Sequence, residues 1–188
     1  MEKWYRFCQI IGRTLLCPLL IKKEGFLPQE GAMVVVSNHR RYSDSPLLGI
    51  YLNRRVHFLA KKVVFNWFLI GWLIKKSNWA LPVAKGMPNS LREADEILKK
   101  GGVIMLFPEG TRNKTDAVML KFDRGFARLA LKNNVSVVPV AIIRRWKRFW
   151  WLPRGLEIFI CPAIPMDSYS CEKDLIKNVH ERMCLLLG

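Results

Sequence analysis

A chain of 188 residues, of which 51% are hydrophobic, is long and apolar enough to bury a core, so intrinsic disorder is excluded. Its 31 lysines and arginines against 15 aspartates and glutamates give a net charge of +16, which predicts a polyanionic partner: a nucleic acid, an acidic protein or an anionic membrane. The seven tryptophans favour the membrane, because tryptophan accumulates at the water–lipid interface.

Cysteine and histidine usage predicts neither disulfides nor a metal site. The five cysteines are odd in number and show no Cys-x-x-Cys spacing, which is typical of reduced thiols in the cytosol. The three histidines, His39, His57 and His180, are far apart in the sequence, which indicates no metal cluster.

The amino-terminal segment is predicted to be a membrane-associated helix. Residues 3–20 mix apolar side chains with three basic ones, and Pro18 interrupts the apolar stretch. The stretch lacks the ~20 unbroken apolar residues that span a bilayer, and no cleavage pattern of a secretory signal peptide follows it. We therefore expect an interfacial segment over residues 1–24 and a single domain over residues 25–188; a helix packed on the core is the alternative.

Strand-like and helix-like segments alternate through the rest of the chain. The predicted strands are residues 32–37, 55–60, 78–84, 103–107, 135–142 and 156–161. The predicted helices are residues 46–53, 89–100, 124–133 and 171–187. The apolar run 65–74 is too short to cross a bilayer and is either a core helix or a membrane-facing helix. This alternation predicts an α/β fold with a mainly parallel sheet flanked by helices.

The segment after the first of these strands carries a base and a carboxylate, His39 and Asp44. On one continuous helix these side chains would point about 140° apart, because each residue turns about 100°. Ser45 and Pro46 are typical of an N-cap and a first helical residue, so His39 can precede the helix while Asp44 lies near its first turn. Asp44 would then bind one ring nitrogen and leave the other as a general base. A buried structural histidine is the alternative.

Such a base needs a hydroxyl group to deprotonate. Ser37 and Ser43 are nearby, but the chain contains no Gly-x-Ser-x-Gly nucleophile motif, so a substrate hydroxyl is the other candidate. A thiolate leaves with little acid assistance, since a thiol is far more acidic than an alcohol. A histidine and an aspartate are therefore sufficient for acyl transfer from a thioester to an alcohol.

A second polar segment, Glu109 to Arg112, follows the predicted strand 103–107. Gly110 lets backbone N–H groups approach a ligand closely, and Arg112 and Thr111 can bind a phosphate. Glu109 would orient Arg112 or accept a hydrogen bond from a substrate hydroxyl. A solvent-facing ion pair in a strand-exit turn is the alternative. Both polar segments follow strands, at the sheet edge where open α/β folds bind ligands.

The Asn-His-x-x-x-x-Asp and Phe-Pro-Glu-Gly-Thr-Arg blocks, in this order and spacing, resemble those of the glycerolipid acyltransferase family, in particular bacterial 1-acyl-sn-glycerol-3-phosphate acyltransferases. The resemblance extends from about Glu24 to Ile143. Gly86 stands in the place of the second block of that family, and Val138 to Val140 resembles the fourth. Lys121 to Leu131 resembles the segment that follows the third block.

The resemblance implies a reaction and roles for the residues. His39 would be the general base on the sn-2 hydroxyl of a lysophosphatidate, oriented by Asp44, and direct attack on an acyl thioester would give phosphatidate without a covalent acyl-enzyme. The glycerol phosphate would be bound by Glu109, Gly110, Thr111 and Arg112. Lys85 stands where the family usually has arginine, so it keeps the charge but loses the bidentate fork. The co-substrate would be an acyl carrier protein or a coenzyme A thioester, with no cofactor and no metal.

An acceptor with an acyl chain resides in the bilayer, so the protein is expected at the cytoplasmic face of the cell membrane, peripheral or monotopic. The basic, aromatic segment 144–154 would contact anionic lipid through Trp146, Phe149, Trp150 and Trp151, and a core-packed strand edge is the alternative. Other acceptors, glycerol 3-phosphate or a lyso-ornithine lipid, stay open. A non-catalytic lipid- or nucleic-acid-binding protein is the rival class, although the chain carries no known nucleic-acid motif.

Overall fold

The computed structural model describes residues 2–15, 21–61, 80–83, 88–144 and 155–188. The described strands are β1 (Ile21–Glu24), β2 (Met33–Ser37), β3 (His57–Lys61), β4 (Ala80–Val83), β5 (Val103–Leu106), β6 (Ser136–Arg144) and β7 (Leu156–Ile160). The described α-helices are α1 (Glu2–Leu15), α2 (Asp44–Tyr51), α3 (Pro88–Lys99), α4 (Gly125–Asn133) and α5 (Glu172–Leu187), and a short 3-10 helix covers Met166–Ser168. The apolar run 65–74 lies outside these residues.

These strands form one sheet in the order β1-β7-β6-β2-β5-β3-β4. All neighbouring pairs are parallel except β6 and β7, which are antiparallel. The prediction of an α/β fold with a mainly parallel sheet flanked by helices is therefore confirmed. Every residue of the central strand β2 is buried, as expected for a strand covered on both faces.

The core lies on the two faces of the sheet, and alternate residues of β2 point into each. Val34 packs into a cluster with Phe126 of α4 and Leu175 of α5. Val35 packs into the other cluster, with Leu48 of α2. Burying a side chain such as Phe126 stabilises the fold by ~1.5–3 kcal/mol relative to leaving it exposed. The two packed faces hold β2 and β5 rigidly beneath the segments that follow them.

Helix α1 packs against α2 and completes its carboxyl-terminal end. The side-chain contacts, at 2.9–3.1 Å, run from Tyr5 to the carbonyls of Gly49 and Arg54, from Gln9 to those of Gly49 and Leu52, and from Arg13 to that of Ile50. The last carbonyls of a helix have no partner within the helix, so α1 supplies donors that α2 lacks. Phe7, Ile10 and Ile11 of α1 remain exposed. None of the described helices is both long and apolar enough to cross a bilayer.

Two local features differ from the sequence prediction. β1, which was not predicted, pairs in parallel with β7 along its whole length. It is a short, partly exposed edge strand with two lysines, so no apolar pattern marks it. The prediction of Ser45 as an N-cap is wrong: α2 already begins at Asp44, whose N–H donates to the carbonyl of Arg41, and Ser43 occupies the N-cap position without a side-chain hydrogen bond. The division after residue 24 stays a prediction, and the structure pairs residues 21–24 with the sheet.

Candidate active site

The two polar segments lie side by side because the strands that precede them are neighbours. β2 and β5 are parallel and in register, with Val36 opposite Leu106. Both segments therefore leave the sheet at its carboxyl edge, where open α/β sheets bind ligands.

The contact predicted between His39 and Asp44 is present. His39 Nδ1 lies 3.0 Å from Asp44 Oδ2. β2 ends at Ser37 and α2 begins at Asp44, so His39 lies in the intervening turn, as the spacing of the two residues required. The imidazole stacks on the ring of Phe107, with the centroids 4.0 Å apart. Because a carboxylate only accepts hydrogen bonds, Nδ1 is assigned the proton, which leaves Nε2 with a free lone pair.

Asp44 is held as an anion although it is completely buried. Oδ2 also accepts the backbone N–H groups of Arg40 at 2.8 Å and Arg41 at 2.7 Å, and Oδ1 accepts a charged hydrogen bond from Arg144 Nη2. Burial by itself raises the pKa of Asp44, but the hydrogen bond to His39, the two backbone N–H groups and the charge of Arg144 outweigh it and lower the pKa below its ordinary value.

Asn38 joins the first segment to β6. Its amide Nδ2 donates to the carbonyl of Ile142 at 2.9 Å, and its Oδ1 accepts the N–H of Ile142 at 2.7 Å. The side chain is buried and makes a pair of hydrogen bonds like those between the backbones of neighbouring strands. The segment that carries His39 is therefore anchored to the sheet beyond the end of β2.

Glu109 from the second segment holds the backbone of His39. Its Oε1 accepts the N–H of His39 at 2.9 Å, and its Oε2 accepts the N–H of Leu120 at 3.0 Å. On the other side, the carbonyl of His39 accepts the N–H of Asn113 at 2.7 Å. Both oxygens of the buried Glu109 thus have backbone partners, an arrangement that sequence reasoning did not foresee.

Gly110 and Thr111 are the exposed residues of the second segment, and Arg112 beside them is partly exposed. Gly110 has a φ of 64°, and a Cβ atom there would lie 2.6 Å from Asp123 Oδ2, so this position requires glycine. The Arg112 guanidinium lies 3.6 Å from the centroid of the Tyr42 ring and donates to the Tyr42 hydroxyl at 2.8 Å. Arg112 is partly buried against Tyr42 and thereby joins the two segments near the surface.

Three of the contributing residues were missed from the sequence. Arg40 donates to carbonyls of the loop 115–118, and Tyr42 accepts a hydrogen bond from Arg112. Arg144, at the end of β6, binds Asp44. Arg144 was visible only as the first residue of a basic, aromatic segment, since its partner lies 100 residues away in the sequence. The sequence carried no signal for this contact, because the burial of Asp44, which requires a cationic or multiple-donor environment, is known only from the structure.

Some predicted site residues lie outside the described part of the chain. These are Lys85 and the membrane-contact residues Trp146, Phe149, Trp150 and Trp151. The described residues contain no group of three or more histidine, cysteine, aspartate or glutamate side chains that could hold a metal ion. The roles assigned to the site residues from the sequence stay predictions.

Comparison with known proteins identifies several acyltransferases that resemble the chain. A family model described as Acyltransferase matches residues 20–143. The chain is 34% identical over 128 residues to a chloroplastic 1-acyl-sn-glycerol-3-phosphate acyltransferase of Arabidopsis thaliana, covering 66% of this chain and 34% of that protein. It is 34% identical over 150 residues to a lyso-ornithine lipid O-acyltransferase of Pseudomonas aeruginosa, covering 77% of this chain and 54% of that protein.

A solved structure shares the architecture of nearly the whole chain. The crystal structure of the 1-acyl-sn-glycerophosphate acyltransferase of Thermotoga maritima aligns with a TM-score of 0.79 and 26% identity, covering 97% of this chain and 78% of that one. The chain thus spans about a third and about half of the length of the plant and Pseudomonas relatives.

Proposed function

Because the chain belongs to the acyltransferase family, we propose that it transfers an acyl chain from a thioester to the sn-2 hydroxyl of 1-acyl-sn-glycerol 3-phosphate, giving phosphatidate for phospholipid synthesis. The observation that carries the proposal is the 3.0 Å contact between His39 Nδ1 and Asp44 Oδ2, at the sheet edge beside Arg112 and its neighbours. A base and an anion-binding arginine on adjacent segments suit an acceptor with both a hydroxyl and a phosphate.

In the proposed reaction, His39 Nε2 removes the proton of the acceptor hydroxyl as its oxygen attacks the thioester carbonyl. The tetrahedral intermediate then collapses, the carbon–sulfur bond breaks, and the departing thiolate takes the proton from His39. Asp44 fixes the ring orientation and the tautomer, and stabilises the imidazolium that forms between the two steps. No acyl group becomes attached to the protein, because the acceptor oxygen is itself the nucleophile.

The acceptor phosphate is assigned to Gly110, Thr111 and Arg112. Arg112 is a planar donor fork that already lies at the surface, and Thr111 is exposed next to it. Glu109 contributes by holding the N–H of His39, and the predicted contact of Glu109 with a substrate hydroxyl remains part of the hypothesis. Lys85 would add a second cation at the phosphate.

Membrane association at the cytoplasmic face, as a peripheral or monotopic protein, is part of the same proposal. It is supported by the exposed Phe7, Ile10 and Ile11 of α1 and by the net charge of +16, since apolar area and positive charge both favour an anionic lipid surface. We expect the protein to float with anionic vesicles and Ile10→Glu to bind them more weakly. Equal flotation of this variant would remove α1 from the lipid contact.

The acyl donor is proposed to be an acyl carrier protein or a coenzyme A thioester, and the basic surface suits either, because both partners are anionic. A lyso-ornithine lipid is the second candidate acceptor, favoured by the similarity to the Pseudomonas lyso-ornithine lipid O-acyltransferase. The partly exposed Arg112 favours an acceptor that carries a phosphate over one that does not.

The test is formation of acylated product from a labelled acyl thioester in lipid vesicles. Both donors are offered in parallel with lysophosphatidate, lyso-ornithine lipid or glycerol 3-phosphate. The wild type should make phosphatidate, and His39→Ala should lose about 10²–10⁴-fold in kcat, the usual contribution of a positioned general base. His180→Ala is the matched control, because His180 lies on α5 against Phe122 and Cys184. Substantial turnover by a folded His39→Ala variant would contradict the general-base role, and product only with another acceptor would replace lysophosphatidate.

A further inference from the structure

We propose that Arg144 is a positioning residue of the transfer reaction, which acts through Asp44 by holding its carboxylate in place against His39. This inference rests on the proposed function. Arg144 is the last residue of β6, the strand that runs parallel to β2 on the side opposite β5. Its side chain therefore leaves the sheet at the edge where the His39 segment begins.

The two oxygens of Asp44 have separate partners. Oδ2 receives His39 Nδ1 and the backbone N–H groups of Arg40 and Arg41. Oδ1 receives Arg144 Nη2. The side chain of Asp44 is 0% exposed and that of Arg144 is 16% exposed, so this ion pair is largely removed from solvent. Arg144 thus binds the side of the carboxylate that faces away from His39.

This second partner matters for the tautomer of His39. An ionised Asp44 only accepts hydrogen bonds and keeps the ring proton on Nδ1, which leaves Nε2 free as the base. A protonated Asp44 can itself donate to Nδ1, and the ring proton would then move to Nε2, where it blocks proton removal from the acceptor. A buried carboxylate without a cation tends toward protonation. Arg144 therefore maintains the state of Asp44 that the reaction requires.

The described charged groups around Asp44 are consistent with this assignment. His39 and Arg144 contact the carboxylate directly, whereas the guanidinium of Arg40 points to the carbonyls of the loop 115–118. Glu109 is bound to the N–H of His39, on the backbone rather than on the ring. The charge of Arg144 is among the causes of the lowered pKa of Asp44.

The first experiment compares Arg144→Met and Arg144→Lys with the wild type in the transfer assay. Arg128→Met is the matched control, because Arg128 pairs with Glu172 at the exposed surface and its loss changes the net charge equally. We expect Arg144→Met to lower kcat by about 10–100-fold, the range found when a residue that orients a metal-binding side chain is removed. The acceptor KM should stay within about twofold, and the acid limb of the kcat–pH profile should move to higher pH.

Arg144→Lys should return the acid limb toward its wild-type position, because it restores the positive charge. A variant in which only the acceptor KM rises, with kcat and the pH profile unchanged, would overturn the positioning role and assign Arg144 to substrate binding. Substrate binding is a physical alternative because Nη1 of Arg144 is buried and has no hydrogen-bond partner in the part of the chain that the structure describes.

A double-mutant cycle tests whether Arg144 acts through Asp44. Asp44→Asn removes the carboxylate charge, so adding Arg144→Met should change kcat by less than about twofold if the two residues act as one unit. The double variant also avoids an unpaired buried charge, so it can be measured even where Arg144→Met alone fails to fold. If the losses in kcat of the two single variants multiply in the double variant, the proposal is overturned.

A titration of the Asp44 carboxyl carbon by NMR provides a readout that needs no activity. In aspartate-labelled protein the pKa of Asp44 should rise in Arg144→Lys by a little and in Arg144→Met by more. An unchanged titration in both variants would refute the role of Arg144 whether or not the acyl transfer is found. Absence of transfer by the wild type, together with the expected titration, would instead refute the proposed function alone.

Discussion

Replacing Glu109 with glutamine tests how firmly the second polar segment holds the backbone of His39. The carboxylate is buried, with Oε1 on the N–H of His39 and Oε2 on the N–H of Leu120. Glutamine has nearly the same shape but offers one acceptor oxygen and one NH₂ group. Whichever way the amide turns, one backbone N–H loses its acceptor and faces another donor.

The expected loss of stability follows from these two contacts. A hydrogen bond to a charged group contributes about 1.5–3 kcal/mol, and a buried N–H left without an acceptor costs about 1–3 kcal/mol. Because the loss of the bond and the unsatisfied group overlap, we expect a decrease of about 3 kcal/mol in the free energy of unfolding. For a domain of this size each kcal/mol lowers Tm by about 2–4 °C, so Tm should fall by about 6–12 °C.

The assay combines thermal unfolding, amide hydrogen exchange and acyl transfer. The N–H groups of His39 and Leu120 should exchange faster in Glu109→Gln, and kcat should fall because His39 is less well placed. Glu93→Gln is the matched control, since Glu93 is exposed on α3. A Tm and exchange rates equal to those of the wild type would refute the inference that the Glu109 carboxylate holds the His39 backbone.

Two further predictions concern the substrate and pH. Arg112→Ala should raise the acceptor KM by about 10–100-fold, as expected for loss of a charged hydrogen bond, and Tyr42→Leu should raise it less; an unchanged KM in both would remove this pair from the phosphate site. The lowered pKa of Asp44 makes its ionisation stabilising. The advantage of wild type over Asp44→Asn in urea unfolding should therefore be full above the unfolded-state pKa of about 3.9 and vanish as pH falls through the lower folded-state pKa. A difference that does not vary with pH contradicts this.

The sequence predicted the central strands well because their signal is local. β2, β5 and β6 are continuous apolar runs bounded by polar turns, and burial on both faces of the sheet is what such runs require. The same reasoning missed β1, whose pairing with β7 depends on backbone hydrogen bonds at the edge of the sheet rather than on apolar side chains. The order of the strands likewise depends on contacts between distant segments.

The site was predicted in part for a related reason. The spacing of His39 and Asp44 placed both residues within one turn and a helix start, so their contact followed from local geometry. Arg144 and Glu109 reach the same turn from other strands, and no local pattern indicates which backbone group or carboxylate they contact. Glycine at position 110 was expected for close approach to a ligand, and its positive φ beside Asp123 adds a conformational reason.

The packing of α1 against α2 has a practical consequence for work on the purified protein. Deleting an amphipathic amino-terminal helix is a common way to improve solubility. Here the deletion would also remove Tyr5, Gln9 and Arg13, the donors for the carbonyls at the end of α2, and expose the apolar surface beneath them. α2 begins with Asp44, so fraying from its far end would spread over only about two turns before it reached Asp44 and its contact with His39. A shortened protein that dissolves well but lacks activity would therefore say nothing about lipid binding.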